Sequence, residues 1–87
     1  MPEISRFFGI IIKMFIDDHN PPHFHAEYGD YKAIIEIKTA ELREGYLPTR
    51  QLKLVEAWAI LHEKELLENF ENLNKDLKSW KKIKPLD

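Results

Sequence analysis

The sequence predicts an α+β domain: an antiparallel meander of three to four strands, followed by one long or two consecutive C-terminal helices packed on the sheet. Three observations lead there. Up to about residue 47 the apolar residues are β-branched or aromatic and alternate with polar ones, the period of a half-buried strand. From Pro48 onward they recur at steps of three and four, the pattern of an amphipathic helix. Gly29 and Asp30 fall between successive alternating runs, as a hairpin turn would.

The first strand is read in "FFGIIIKMFI", Phe7 to Ile16. Phe8, Ile10, Ile12, Met14 and Ile16 share one face, and Phe7, Ile11, Lys13 and Phe15 the other. Both faces are largely apolar, so the strand is expected at the centre of the sheet or covered twice. "HFHAEY", His23 to Tyr28, places His23, His25 and Glu27 on one side and Phe24, Ala26 and Tyr28 on the other. "YKAIIEI", Tyr31 to Ile37, returns alongside it, and a weaker fourth strand is read in Glu41 to Leu47. Pro48 suits the first turn of a helix, where its missing amide costs nothing. The helical stripe then runs through Leu54, Val55, Trp58 and Leu61, and on through Leu66, Phe70, Leu73 and Leu77, with a bend near His62 to Glu65 in the two-helix version. Glu63, Glu65, Glu68 and Glu71 lie mostly off that stripe and read as solvated surface.

With 87 residues the chain is expected to form one domain, residues 1–87, with strands over about 6–47, helix over about 48–77 and a basic tail over 78–87. A core this small gives modest stability, so a second subunit, including another copy of the chain, could matter to it. The 44% hydrophobic and 32% charged fractions are those of a globular chain. Thirteen basic against 15 acidic side chains leave a net charge of −2, which gives no general pull toward nucleic acid or anionic lipid. Any RNA or DNA contact then needs a local basic patch; the tail around Trp80 (Lys78, Lys81, Lys82, Lys84) is the best one, as a mobile end or an arm for a partner. The absence of cysteine removes disulfides, thiolate nucleophiles and Cys-type zinc sites. The apolar run near the N-terminus lacks a signal peptide's lead-in and cleavage site and is about half a membrane span, so a cytoplasmic protein with no membrane partner is expected.

Three of the four histidines, His19, His23 and His25, fall within seven residues, with Pro21 and Pro22 between the first two. On a strand His23 and His25 point the same way, about 6.5–7 Å apart, and Glu27 extends the row. His19 enters from the proline-stiffened loop, beside Asp17 and Asp18. Four readings fit. Three imidazoles and the Glu27 carboxylate suit zinc or another divalent first-row ion. Two imidazoles, one as base and one as acid, suit metal-free cleavage of RNA through its 2′-hydroxyl. Imidazole, Tyr and Phe rings suit stacking on single-stranded bases without catalysis. Or the residues are structural. His62, inside the helical stretch, reads as a packing or interhelical hydrogen-bonding residue, and Trp58 and Phe70 as core.

The segments "MPEISRFFGIIIKMFIDDHNPPHFHAEYGDYKAIIEI" and "GYLPTRQLKLVEAWAILHEKELLENFE" resemble the small prokaryotic family known as domain of unknown function 4160. The likeness is carried by P-x-I-S-R-F, D-H-x-P-P-H-F-H, E-Y-G, L-P-x-R and W-A-x-L-H, the histidine segment matching at His19, Pro21, Pro22, His23, Phe24 and His25. It implies genomic company: such proteins are similar to ones encoded beside a second small domain of unknown function, number 2442, in pairs that look like toxin-antitoxin modules. The reading that follows is a component of such a pair, bound to the small protein of the adjacent gene, with His19, His23 and His25 as its working surface. As a toxin it would be a ribonuclease-like hydrolase or transferase, with Arg6 or Arg50 positioning phosphate. As an antitoxin or regulator the same surface would bind nucleic acid without catalysis. The alternative is a small metal enzyme using His19, His23, His25 and Glu27.

Overall fold

Two consecutive residues in the left-handed region, Phe8 (φ 49°) and Gly9 (φ 78°), reverse the chain inside what reads as the first strand. Positive φ at both central positions is the signature of a tight hairpin turn. A computed structural model, which describes residues 3–15, 20–74 and 80–86, therefore has β1 (Glu3–Phe7) paired antiparallel with β2 (Ile10–Lys13) where one strand from Phe7 to Ile16 was expected. Phe7 is buried and Phe8, at the turn, is 56% exposed, the reverse of the alternation through Gly9. Ile16, Leu77 and Lys78 lie outside the described residues.

The rest of the sheet follows the expected meander. β3 (His23–Tyr28) and β4 (Tyr31–Glu36) form a hairpin across Gly29 and Asp30, and β5 (Leu42–Gly45) closes the order β1-β2-β3-β4-β5, every neighbour antiparallel. The sheet has five strands, one more than the largest number expected, because the chain before the apolar run, Glu3 to Arg6, joins Phe7 in a strand of its own ahead of the turn at Phe8–Gly9. The chain after the Pro-Pro pair is tied to the sheet, since Ile37 N–H donates to the Pro22 carbonyl at 3.0 Å.

Pro48 occupies the N-cap of α1 (Thr49–Leu61), one position before the first turn. His62, at φ −119° and ψ 23°, ends α1 and caps α2 (Glu63–Leu73), so the helical region is two helices bent where the sequence suggested. The bend interrupts the apolar stripe: Leu61, expected inside, is 69% exposed. Val55, Trp58 and Ala59 of α1 and Leu66, Phe70 and Leu73 of α2 pack with Ile4, Phe7, Ile10, Phe24 and Ile35 in a single core on one face of the sheet. The acidic run is exposed, and Glu63 and Glu65 sit in the first turn of α2, where the helix dipole favours negative charge.

The basic tail, over its described part, is neither a loose end nor an arm reaching outward. Ile83 is buried and its N–H donates to the Ile4 carbonyl at 2.9 Å, covering the β1 edge. Trp58 Nε1 donates to the Lys84 carbonyl at 2.9 Å. Asn69 of α2, 3% exposed, acts as a surrogate backbone unit: its Nδ2 donates to the Lys81 carbonyl at 2.7 Å and its Oδ1 accepts from the Lys81 N–H at 2.9 Å.

Gly45 determines whether β5 can lie where it does. At φ +84° a side chain is already strained, and a Cβ there would stand 2.1 Å from the Lys32 carbonyl oxygen and 2.9 Å from the Ala33 Cα. Gly29, at φ +57°, has nothing within 4 Å of that position. Gly45→Ala is expected to cost about 2 kcal/mol or more and Gly29→Ala about 1 kcal/mol in denaturant unfolding. Equal costs at the two sites would contradict the close approach of β5 to β4.

Candidate functional site

Alternation along β3 decides which side chains leave the core. Phe24 and Ala26 are fully buried beneath the helices, so His23, His25 and Glu27 project from the opposite face, each half-buried. The register sets their neighbours: Lys13 of β2 and Ile34 of β4 flank His25, Ile11 and Lys32 flank Glu27, and Glu36 stands beside His23. The rings form a continuous row. Phe15 meets His25 edge-on with centroids 4.4 Å apart, His25 meets His23 at 5.4 Å, and His23 meets Phe70 of α2 at 5.8 Å.

His23 Nδ1 lies 2.9 Å from the carbonyl oxygen of Pro21. A carbonyl can only accept, so Nδ1 carries the hydrogen and the lone pair of the neutral ring resides on Nε2. The Pro-Pro connector thus selects the tautomer as well as the position of this histidine. Beside it opens a cleft of about 380 Å³ lined by Asn20, Pro21, His23, His25, Ile34, Arg43 and Glu44. A second cleft of about 240 Å³ shares His25, Ile34 and Glu44 and continues to Glu27, Lys32 and Gly45.

Charges on this face are largely paired across strands. Lys13 Nζ donates to Glu27 Oε1 at 3.2 Å, and Arg43 Nη1 to Glu36 Oε1 at 3.1 Å. A guanidinium has five N–H donors, so Arg43 keeps capacity to meet a second anion while Glu36 holds it. Its fixed fork is suited to the oxygens of a phosphate.

Of the residues singled out in the sequence, His23 and His25 are brought together, with Glu27 next in the row but engaged by Lys13. His19, with Asp17 and Asp18, lies outside the described residues. Among the described residues no group of three or more His, Asp or Glu is arranged to hold a metal ion. Arg50 is exposed in the first turn of α1, and Arg6 is on β1, where its Nη2 donates to Glu3 Oε1 at 2.8 Å; neither lines the histidine clefts. The Arg6 hydrogen bond holds the Glu3 carboxyl below its usual range, with further help from the charges of Arg6, Lys82 and Lys13, and Glu3 in turn raises Arg6. His62 packs on Trp58 with centroids 5.5 Å apart and donates from Nδ1 to Glu65 at 2.6 Å, the packing and hydrogen-bonding role expected of it.

Arg43 and Glu44 are the cleft residues that alternation does not find. Strict alternation sends neighbours to opposite faces, but the β4–β5 register shifts between Ile34 and Ile35, and the resulting bulge turns both side chains to the histidine face. An edge-strand Gly45 two residues after Arg43 is the one local sign of it.

Fold and site together define an α+β domain whose sheet packs its helices on one face, with a histidine row that starts on the other face and reaches Phe70 of α2. The chain belongs to the family described as Domain of unknown function (DUF4160), whose profile matches residues 9–71. That span takes in every residue lining the two histidine clefts and leaves out β1 and the tail. No curated protein and no solved structure shows significant similarity to the chain. No helix among the described residues is long and apolar enough to cross a membrane.

The tautomer is directly measurable. Long-range ¹H–¹⁵N NMR of the histidine rings, at a pH where they are neutral, is expected to show the His23 proton on Nδ1. A proton on Nε2 would contradict the bond to Pro21.

Proposed function

We propose that the chain is one component of a prokaryotic, cytoplasmic toxin-antitoxin-like pair, binding the small protein of the adjacent gene, and that its histidine face cleaves RNA by metal-free acid–base chemistry. Family membership supports the first half, through the genomic pairing that the family resemblance implies. The observation that carries the second is that His23, its ring oriented by the Nδ1–H bond to the Pro21 carbonyl, lines one cleft with His25 and Arg43.

In the reaction, His23 Nε2 takes the proton of a ribose 2′-hydroxyl, and the oxygen attacks the adjacent phosphorus. The P–O5′ bond breaks, and protonated His25 gives its proton to the departing 5′ oxygen. The products are a 2′,3′-cyclic phosphate and a 5′-hydroxyl, with no metal and no oxidant in the balance. An imidazole does both jobs near neutral pH, and positioned acid–base groups of this kind contribute about 10²–10⁴-fold each. Arg43, held by Glu36, faces the charge that develops on the phosphate oxygens. The near-balance of charge on this face supplies no long-range attraction, so the substrate is recognised at short range.

The purified chain is expected to cut single-stranded RNA in the presence of EDTA, leaving 2′,3′-cyclic phosphate ends. His23→Ala and His25→Ala should each lower the rate by at least about 10²-fold at unchanged fold. Expression of the chain alone should arrest growth, and co-expression of the adjacent gene should relieve it. Intact RNA, or a rate unmoved by both substitutions, would sink the catalytic half. Failure of the neighbouring protein to bind would sink the pairing.

A further inference from the structure

At the opposite edge of the same sheet the docked tail and β1 enclose a cleft of about 420 Å³. Its charged lining is Arg6, Lys82 and Lys84 against the single carboxylate of Glu3. In a chain whose net charge is −2 this is a local excess of positive charge. Nothing in the docking of the tail requires it. The tail is fastened through the Lys81 backbone to Asn69, the Ile83 N–H to Ile4 and the Lys84 carbonyl to Trp58, all of which leave the lysine side chains out. Lys82 and Lys84 are exposed, and neither has an ion pair among the described residues. Two long cations are thus presented on a backbone held at three points, which lowers the entropy lost when they close on an anion.

The cleft shares no lining residue with the histidine clefts, but strand register aligns it with them. Glu3 pairs with Lys13, and Lys13 pairs with His25, so the three stand in one cross-strand row. Two strand spacings separate Glu3 from His25, about 9–10 Å. Arg6 and Lys82 line the cleft with Glu3, and Lys13 is the cross-strand partner of Glu3, so β1, the tail and β2 each bring a cation to that end of the row.

We propose that the cleft between β1 and the tail is a second phosphate subsite, in which Arg6, Lys82 and Lys84 hold the backbone of a single-stranded RNA whose reacting phosphate lies at His23 and His25. The inference rests on the RNA reading of the histidine face and adds its direction: the strand crosses the sheet from the tail, over Lys13, to the histidine row. An acidic segment of the partner protein would want the same cations, but only a strand that continues to the histidines uses the row that links the two clefts.

The test is anisotropy binding of the full chain to uncleavable 2′-O-methyl oligoribonucleotides, one of about eight residues, within ordinary site sizes of about 4–16 nucleotides, and one of two. The longer probe is expected to bind tighter. Lys82→Glu with Lys84→Glu should weaken it by at least about tenfold and flatten its log K against log salt slope by about 1.4, two phosphate contacts at about 0.7 each. The dinucleotide should bind as before, and the Lys82→Gln, Lys84→Gln pair should fall between. Unchanged affinity and slope for the longer probe, with RNA still cut by the wild-type chain, would overturn the subsite and leave the histidine reading standing. Loss of binding to the adjacent-gene protein with RNA binding intact would overturn it in favour of an acidic partner. Wild-type protein that neither binds nor cuts RNA would overturn both.

Discussion

Trp58 holds the architecture together. Its ring is fully buried and touches Phe7 of β1 at 5.3 Å, Phe24 of β3 at 5.7 Å and His62 at the helix junction at 5.5 Å, while its Nε1 donates to the Lys84 carbonyl of the tail. Sheet, helix bend and tail therefore meet on one side chain. The consequence for the site is geometric. Once Phe24 is committed to the ring of Trp58, the period of two along β3 leaves His23 and His25 no side but the other one. A core decision thereby fixes the direction of the histidine row.

The Pro-Pro connector then refines what the strand sets roughly. The Pro21 carbonyl takes the Nδ1 hydrogen of His23, and the Pro22 carbonyl takes the Ile37 N–H, so two adjacent backbone oxygens secure the ring on one side and the sheet on the other. Phe15 and Phe70 stand at either end of the two imidazoles and limit their rotation. A pair of imidazoles so held, with an arginine from the bulged edge strand over the same cleft, has the groups that phosphodiester chemistry uses. The tail cations Lys82 and Lys84 stand beside Glu3 and Arg6 at the other sheet edge.

Much of this was legible in the residues, for reasons that differ by element. The hairpin at Gly29–Asp30 and the facing of His23, His25 and Glu27 were readable because β3 alternates cleanly between polar side chains and Phe24, Ala26 and Tyr28. The helical region and its bend were readable from spacing that falters near His62. The first hairpin was not, because β1 (EISRF) takes only Phe7 from the apolar run, and the Phe and Ile residues on either side of the turn mask a reversal that only Gly9 betrays. Leu61 was misplaced because a stripe extrapolated through a bend loses its phase. The joining of Arg43 to the histidines depends on a bulge between strands, and the fastening of the tail on a buried Asn69; both are long-range facts with no local pattern.

One measurement bears most directly on whether the histidine face is the working surface: NMR mapping of an uncleavable single-stranded RNA titrated into ¹⁵N-labelled protein. The largest shifts should fall on His23, His25, Lys13 and Arg43, with little change along the exposed acidic surface of α2. Shifts confined to the helices, with the histidine row unmoved at saturating RNA, would contradict the claim on which site and function both stand.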